Sequence, residues 1–157
     1  MLTSDLYLDV VRLYADYADV LDREDWDHWP GFFTEECVYK ITPRENFDRK
    51  LPLSTLAFES RGMLMDRVYG IRETLCYDPY YQRHVVGSPI LRSVSADRIE
   101  SEANYIVLRT KRDQMAEVFS AGRYIDVIRR EEDGLRFASR ICVFDSEMIA
   151  NSLIYPI

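Results

Sequence analysis

The amino-acid sequence predicts an α+β domain, with N-terminal helices packed on a long, strongly curved, mainly antiparallel sheet. Three observations carry that prediction. Residues 4–21 repeat apolar side chains at a helical period, four long β-type segments follow residue 88, and Asp133-Gly134 marks a turn between the last two. Helices first and strands afterwards, without alternation, is the element order of an α+β fold.

In the first element Leu6, Val10, Leu13, Tyr17 and Leu21 fall three or four apart and form one apolar stripe. Asp9, Arg12, Asp16 and Asp19 lie off that stripe and should face water. Ser4 is placed as N-cap, with Asp5 set against the positive end of the helix dipole. A short second helix is predicted over 24–33, with Trp26, Trp29, Phe32 and Phe33 on one side and Pro30-Gly31 to kink or end it. Glu36–Thr42 reads as a strand of β-formers closed by Pro43. Residues 43–53 are polar and hold two prolines, so a loop is expected. Met63, Val68, Ile71 and Leu75 give a third helix over 60–75, and Pro79 stops anything continuing from it.

Pro89–Ser95, Arg98–Thr110, Met115–Arg130 and Leu135–Ser146 are the long β-type segments. In the last of them Leu135, Phe137, Ile141 and Val143 alternate with Arg136, Ala138 and Arg140. The Asp133-Gly134 signal makes a hairpin of the third and fourth segments, and Lys111–Gln114 gives a polar break before them. Strands of this length must twist and curl, and Gly122 is a natural place for a bend.

The 157 residues fit one domain, 1–157, with a formal net charge of -7. That acidity argues against a nucleic-acid module, which would show a basic face. Cys37, Cys76 and Cys142 have no paired spacing, so neither a disulfide framework nor a zinc knuckle is expected. No apolar run approaches the roughly 20 residues of a membrane span, and the first residues lack the pattern of a signal peptide. The expectation is a soluble, cytoplasmic chain.

Several stretches carry a family resemblance. Asp22-Arg23-Glu24-Asp25-Trp26-Asp27-His28-Trp29 is followed by Glu35-Glu36-Cys37-Val38-Tyr39. Arg61-Gly62-Met63-Leu64-Met65-Asp66-Arg67-Val68 precedes Tyr80-Tyr81-Gln82-Arg83-His84-Val85-Val86, and Gly122-Arg123-Tyr124-Ile125-Asp126 and Arg140-Ile141-Cys142-Val143-Phe144-Asp145 come later. In this order and spacing they resemble the small (β) subunit of Rieske-type aromatic-ring-hydroxylating oxygenases, over nearly the whole chain. The resemblance implies the cone of the nuclear-transport-factor-2-like (NTF2-like) superfamily. It also implies a catalytic large (α) subunit as partner, in an α3β3 hexamer built on a β3 trimer. A Rieske [2Fe-2S] cluster and a mononuclear non-haem iron would then act in that partner, fed with electrons from NAD(P)H by a ferredoxin or reductase. Within the family the chain looks closest to subunits acting on salicylate or related aromatic acids.

The ligand inventory agrees with a chain that performs no bond chemistry. A Rieske cluster takes two Cys and two His, and a facial-triad iron takes two further His and a carboxylate. This chain has two histidines, His28 and His84, and no Cys-x-His or Cys-x-x-His pair. No catalytic, cofactor-binding or metal-binding residue is therefore assigned to it. His84 reads as a structural residue locking a strand entrance, with general base or metal ligand as the sharper option. Asp16 with Tyr14 and Tyr17 would suit proton transfer if buried together, although Asp16 lies off the apolar stripe. The three thiols have no adjacent Lys or His and read as packing.

The apolar end Leu153-Ile154-Tyr155-Pro156-Ile157 must be buried, within its own domain or against a neighbouring subunit. Trp26, Trp29, Arg83, His84, Tyr155 and Ile157 are the candidate subunit-interface residues. The main reading is a non-catalytic small subunit that assembles catalytic large ones. A freestanding NTF2-like dehydratase, isomerase or cyclase, with an Asp/His/Tyr set such as His84 and Tyr39 inside the cone, is the alternative. A pure binding module for a small ligand is a third option with no motif behind it.

Overall fold

The computed structural model describes residues 3–148 and 153–157. Helix α1 runs from Ser4 to Asp22 and buries Leu6, Val10, Leu13, Tyr14, Tyr17 and Leu21. This is the predicted stripe with Tyr14 added. The cap is Thr3 rather than Ser4. Thr3 is the residue with extended backbone, and its side-chain oxygen accepts from Leu6 N at 3.2 Å. The helix predicted over 24–33 contracts to one 3-10 turn, Trp29–Phe32. Glu24 adopts a left-handed φ of 57°, which ends helical propagation before the tryptophans.

Strand β1 spans Phe33–Pro43 and starts earlier than the predicted Glu36. The expected loop over 43–53 contains a short helix, α2 (Arg44–Asp48), supported by Arg44–Asp48 and Glu45–Arg49 pairs four residues apart. A three-residue strand, β2 (Leu56–Phe58), follows. Helix α3 (Arg61–Tyr69) is capped by Ser60 and passes into a π turn, Gly70–Thr74, so the helical run predicted over 60–75 is present.

The remaining strands are β3 (Tyr80–Val86), β4 (Ile90–Val94), β5 (Arg98–Lys111), β6 (Glu117–Glu131) and β7 (Gly134–Phe144). They form one sheet in the order β2-β1-β7-β6-β5-β3, with β4 also paired to β5. Every pairing is antiparallel except β1 with β7. The β6–β7 turn is the predicted one, with Glu131 opposite Gly134 and a φ of +142° at that glycine. Gly122 marks a close approach: a Cβ there would lie 1.8 Å from the Val143 carbonyl oxygen.

The curled sheet and α1 enclose a core in which Tyr17, Trp29, Phe33, Tyr39, Tyr105, Tyr124 and Phe137 are fully buried. This is the NTF2-like cone. Residues 154–157 return into it and are buried in their own chain, so the apolar terminus has its cover without a neighbour.

Candidate functional site

The cone interior is where this fold collects buried polar groups. Tyr124, Asp126 and Ile128 of β6 point inward in phase, opposite Phe137, Arg140 and Cys142 of β7. Simple alternation from Leu135 would turn Arg140 outward, as the sequence reading had it. The register shift opposite Val127 and Ile128 leaves Ala138 as an extra residue on β7, which flips the phase and sends Arg140 inside. Arg140 is completely buried and forks onto Asp126, with Nε donating to Oδ1 at 3.0 Å and Nη2 to Oδ2 at 2.7 Å. Tyr14 also donates to Asp126 Oδ2, and its hydroxyl lies 2.9 Å from Ser101 Oγ.

Four rings line the guanidinium. Its carbon lies 3.9 Å from the ring centre of Phe137, 4.0 Å from Tyr124, 4.2 Å from Tyr17 and 4.8 Å from Tyr14. Burial works against the Arg140 charge, but the Asp126 carboxylate outweighs it and holds the guanidinium above its ordinary pKa. Burial pushes the Tyr14 hydroxyl up, and the Asp126 charge adds to that; Tyr17, Tyr39 and Tyr124 are also raised, chiefly by burial. The Cys142 thiol is pushed up to about 12 by burial, so it is neither a nucleophile nor a ready ligand.

The C-terminal residues fill what remains of the mouth. Tyr17 and Tyr39 hydroxyls donate to the Ile157 carbonyl oxygen at 3.1 and 2.9 Å, and Ile157 N donates back to Tyr39 at 3.0 Å. Trp29 Nε1 donates to Tyr17 Oη at 3.3 Å. Arg67 of α3 holds the carbonyls of Leu153 and Ile154 at 2.6 and 2.9 Å. The Tyr155 ring packs on Tyr80, Trp26 and Tyr77, with centres 4.5, 4.7 and 5.4 Å away.

Of the six residues singled out as interface candidates, Trp26, Trp29, His84, Tyr155 and Ile157 are thus buried within their own chain, and Arg83 alone presents an exposed head. His84 is a fastener. Asp22, at the end of α1, accepts its backbone N–H at 3.0 Å and lies 2.6 Å from Nδ1, which pins β3 to the helix. Tyr39 is engaged with Ile157, so the Asp/His/Tyr set of the alternative reading is divided between separate partners. Asp16 is exposed on α1, and the buried carboxylate beside Tyr14 is Asp126. Sequence reasoning missed Asp126 and Arg140 as a pair. The signal for Asp126 was its in-phase spacing with Tyr124 and Ile128 on β6.

The residues present do not fit an iron centre. Cys37 and Cys142 are buried, Cys76 is exposed, and His28 lies against Asp25 at 2.7 Å on the surface. Among the described residues no three His, Cys, Asp or Glu side chains are grouped to hold a metal, and no helix is long and apolar enough to cross a membrane.

The family model described as the ring hydroxylating beta subunit matches residues 17–151. The chain belongs to this family. Among curated proteins it is 32% identical to the anthranilate 1,2-dioxygenase small subunit of Burkholderia cepacia, over 99% of this chain and 98% of that one. It is 31% identical to a β subunit of the terminal oxygenase component of terephthalate 1,2-dioxygenase from a Comamonas species, over 96% and 97% of the two chains. Among crystal structures, a chain from Novosphingobium aromaticivorans described as the β subunit of an aromatic-ring-hydroxylating dioxygenase superposes with a TM-score of 0.89. It is 32% identical, with 97% of each chain covered. As a small β subunit of an aromatic-ring-hydroxylating dioxygenase, this chain is one component of an oxidoreductase complex.

Proposed function

We propose that this β subunit is a non-catalytic scaffold that holds large oxygenase subunits in position, in an enzyme acting on an aromatic acid. The observation that carries the reading is the filled cone. The space where a freestanding enzyme of this shape would hold a small aromatic is taken by Ile154–Ile157, and Arg140, Asp126, Tyr14, Tyr17 and Tyr39 are engaged with one another or with that segment. Arg140 and Tyr14 satisfy Asp126, while Tyr17 and Tyr39 satisfy the tail. What the chain offers a partner is its outside.

On this reading the Rieske cluster and the mononuclear iron belong to the large subunit, and electrons from NAD(P)H reach them through a ferredoxin or reductase. A trimer of β subunits would form a rigid base that sets neighbouring large subunits at the spacing electron transfer requires. The exposed head of Arg83 is assigned to the subunit contact. Anthranilate and terephthalate, the acids in the relatives' names, support an aromatic carboxylate as substrate of the complex, with salicylate in the same class.

Co-expression with the large oxygenase chain of its own organism tests this. The expected result is a stoichiometric complex in which iron and turnover follow the large chain and are absent from the separated small one. Tightly held iron or turnover in the small chain by itself, or no capture of any large chain, would overturn the scaffold reading.

A further inference from the structure

Buried polar atoms are nearly always paired, so those that are not carry information. Among the described residues, five wholly buried side-chain atoms have no hydrogen-bond partner. Two of them, Arg140 Nη1 and Tyr124 Oη, belong to the ion pair in the cone, where the guanidinium carbon lies 4.0 Å from the Tyr124 ring centre. The other three, Gln82 Oε1, Gln82 Nε2 and His84 Nε2, stand on one strand.

Alternation along β3 turns Tyr80, Gln82 and His84 inward, and it sets the last two next to each other on that face, about 7 Å apart along the strand. Gln82 is 3% exposed, and the side chain of His84 is not exposed at all. Their surroundings fix what these atoms need. Asp22 lies 2.6 Å from His84 Nδ1 and, as a carboxylate, can only accept, so Nδ1 carries the proton. In the neutral ring Nε2 then keeps a lone pair that calls for a donor. The Gln82 amide adds one acceptor and one donor group.

The polar neighbours on the same face are committed elsewhere. Opposite His84 stands Val107, and opposite Gln82 stands Arg109, whose guanidinium is turned onto Glu117 at 2.9 Å. Tyr105 is engaged with Ser120 at 3.1 Å, and both Asp22 oxygens accept the backbone N–H of His84. A side chain from another subunit cannot reach atoms closed off from the surface. Left unpaired, each atom would carry its full desolvation penalty.

We propose that Gln82 and His84 form a site for one ordered water. The water accepts from Gln82 Nε2 and donates to Gln82 Oε1 and His84 Nε2, the combination those atoms require. Folded chains bury about one water per 27 residues, each with about three such bonds. The bridge carries the fastening of α1 to β3 inward, from Asp22 through the imidazole to the Gln82 amide. It also steadies the stretch of β3 beneath Arg83, whose side chain is exposed. The site belongs to the chain by itself and would stand if the scaffold reading fell.

Three measurements on the full chain test the site. With His28→Gln removing the other imidazole, long-range proton–nitrogen spectra at mildly alkaline pH should show His84 with its proton on Nδ1. A high-resolution crystal structure should show one water within hydrogen-bond distance of both His84 Nε2 and the Gln82 amide. Magnetic relaxation dispersion of the water oxygen should count one long-lived water fewer in Gln82→Met than in wild type, with circular dichroism checking that both are folded. A proton on Nε2, a Gln82 amide bonded directly to His84, no water between them, or an equal water count would overturn the site. Should Gln82→Met fail to fold, the first two measurements, made with Gln82 in place, decide the matter.

Discussion

At Arg140 a fully charged group sits at the centre of the core, and its energetics follow from its partners. A buried ion pair contributes little net stability, but removing one member strands the other in a medium that cannot solvate it, at a cost of about 3–5 kcal/mol. Arg140→Met should therefore lower stability in urea by about that amount, because Asp126 keeps only the Tyr14 hydroxyl and a carboxylate is left buried. The double variant Arg140→Met/Asp126→Leu should recover most of the loss. If the single variant is as mild as the double, the pair is not a closed unit. Little of this was legible beforehand. Strand alternation placed Arg140 outside, and one extra residue, Ala138, reversed the phase without leaving any mark in composition. Cys142 was read as packing because no Lys or His is adjacent to it, and it is fully buried, where burial outweighs the opposing charge of Arg140.

Among the elements, the strands were easier to read than the turns and short helices. Strands β5, β6 and β7 stand close to where alternation put them, since 11 to 15 residues of pattern average out local noise, and the segment predicted over Pro89–Ser95 is the five-residue β4. Helix α2, with five residues, is too short to show a period, and the helix expected around Trp26 and Trp29 failed on the left-handed Glu24. Gly122 was marked as a bend, and its role is sharper: β6 and β7 approach so closely there that no side chain fits. Gly122→Ala should cost about 3 kcal/mol or more, at or above the upper end for overpacking. Gly31→Ala, where a Cβ meets nothing within 4 Å, should be nearly silent. Thermal denaturation of the two variants side by side checks this, and equal melting temperatures would refute the close approach.

Taken as a whole, the molecule encloses several of its tyrosines in one buried interior, and this gives it a characteristic response to alkali. Tyr17, Tyr39 and Tyr124 are wholly buried with hydroxyls raised above the ordinary value. Unfolding releases them to titrate near pH 10, so the unfolded chain then binds fewer protons than the folded one. The stability they contribute is complete below about pH 10 and drains away above it, by about 1.4 kcal/mol per pH unit for each hydroxyl. The urea midpoint should hold up to pH 9 and fall steeply by pH 11, with a step in tyrosinate absorbance accompanying the unfolding transition. An unfolding transition without that step would show these rings to be wet. The need to bury the apolar terminus was legible at this scale, but its destination was not, since a hydrophobic tail reads the same whether it enters its own cone or a neighbour's. One pairing also governs how the molecule comes into being. β1 lies against β7, about a hundred residues further along the chain, and its other neighbour is the three-residue β2. Closing so long a loop is entropically costly and slow. Until β7 has been made, Phe33, Cys37, Tyr39 and Ile41 hang on a sticky, half-paired ribbon, and the nascent polypeptide is most exposed to misassociation during that wait.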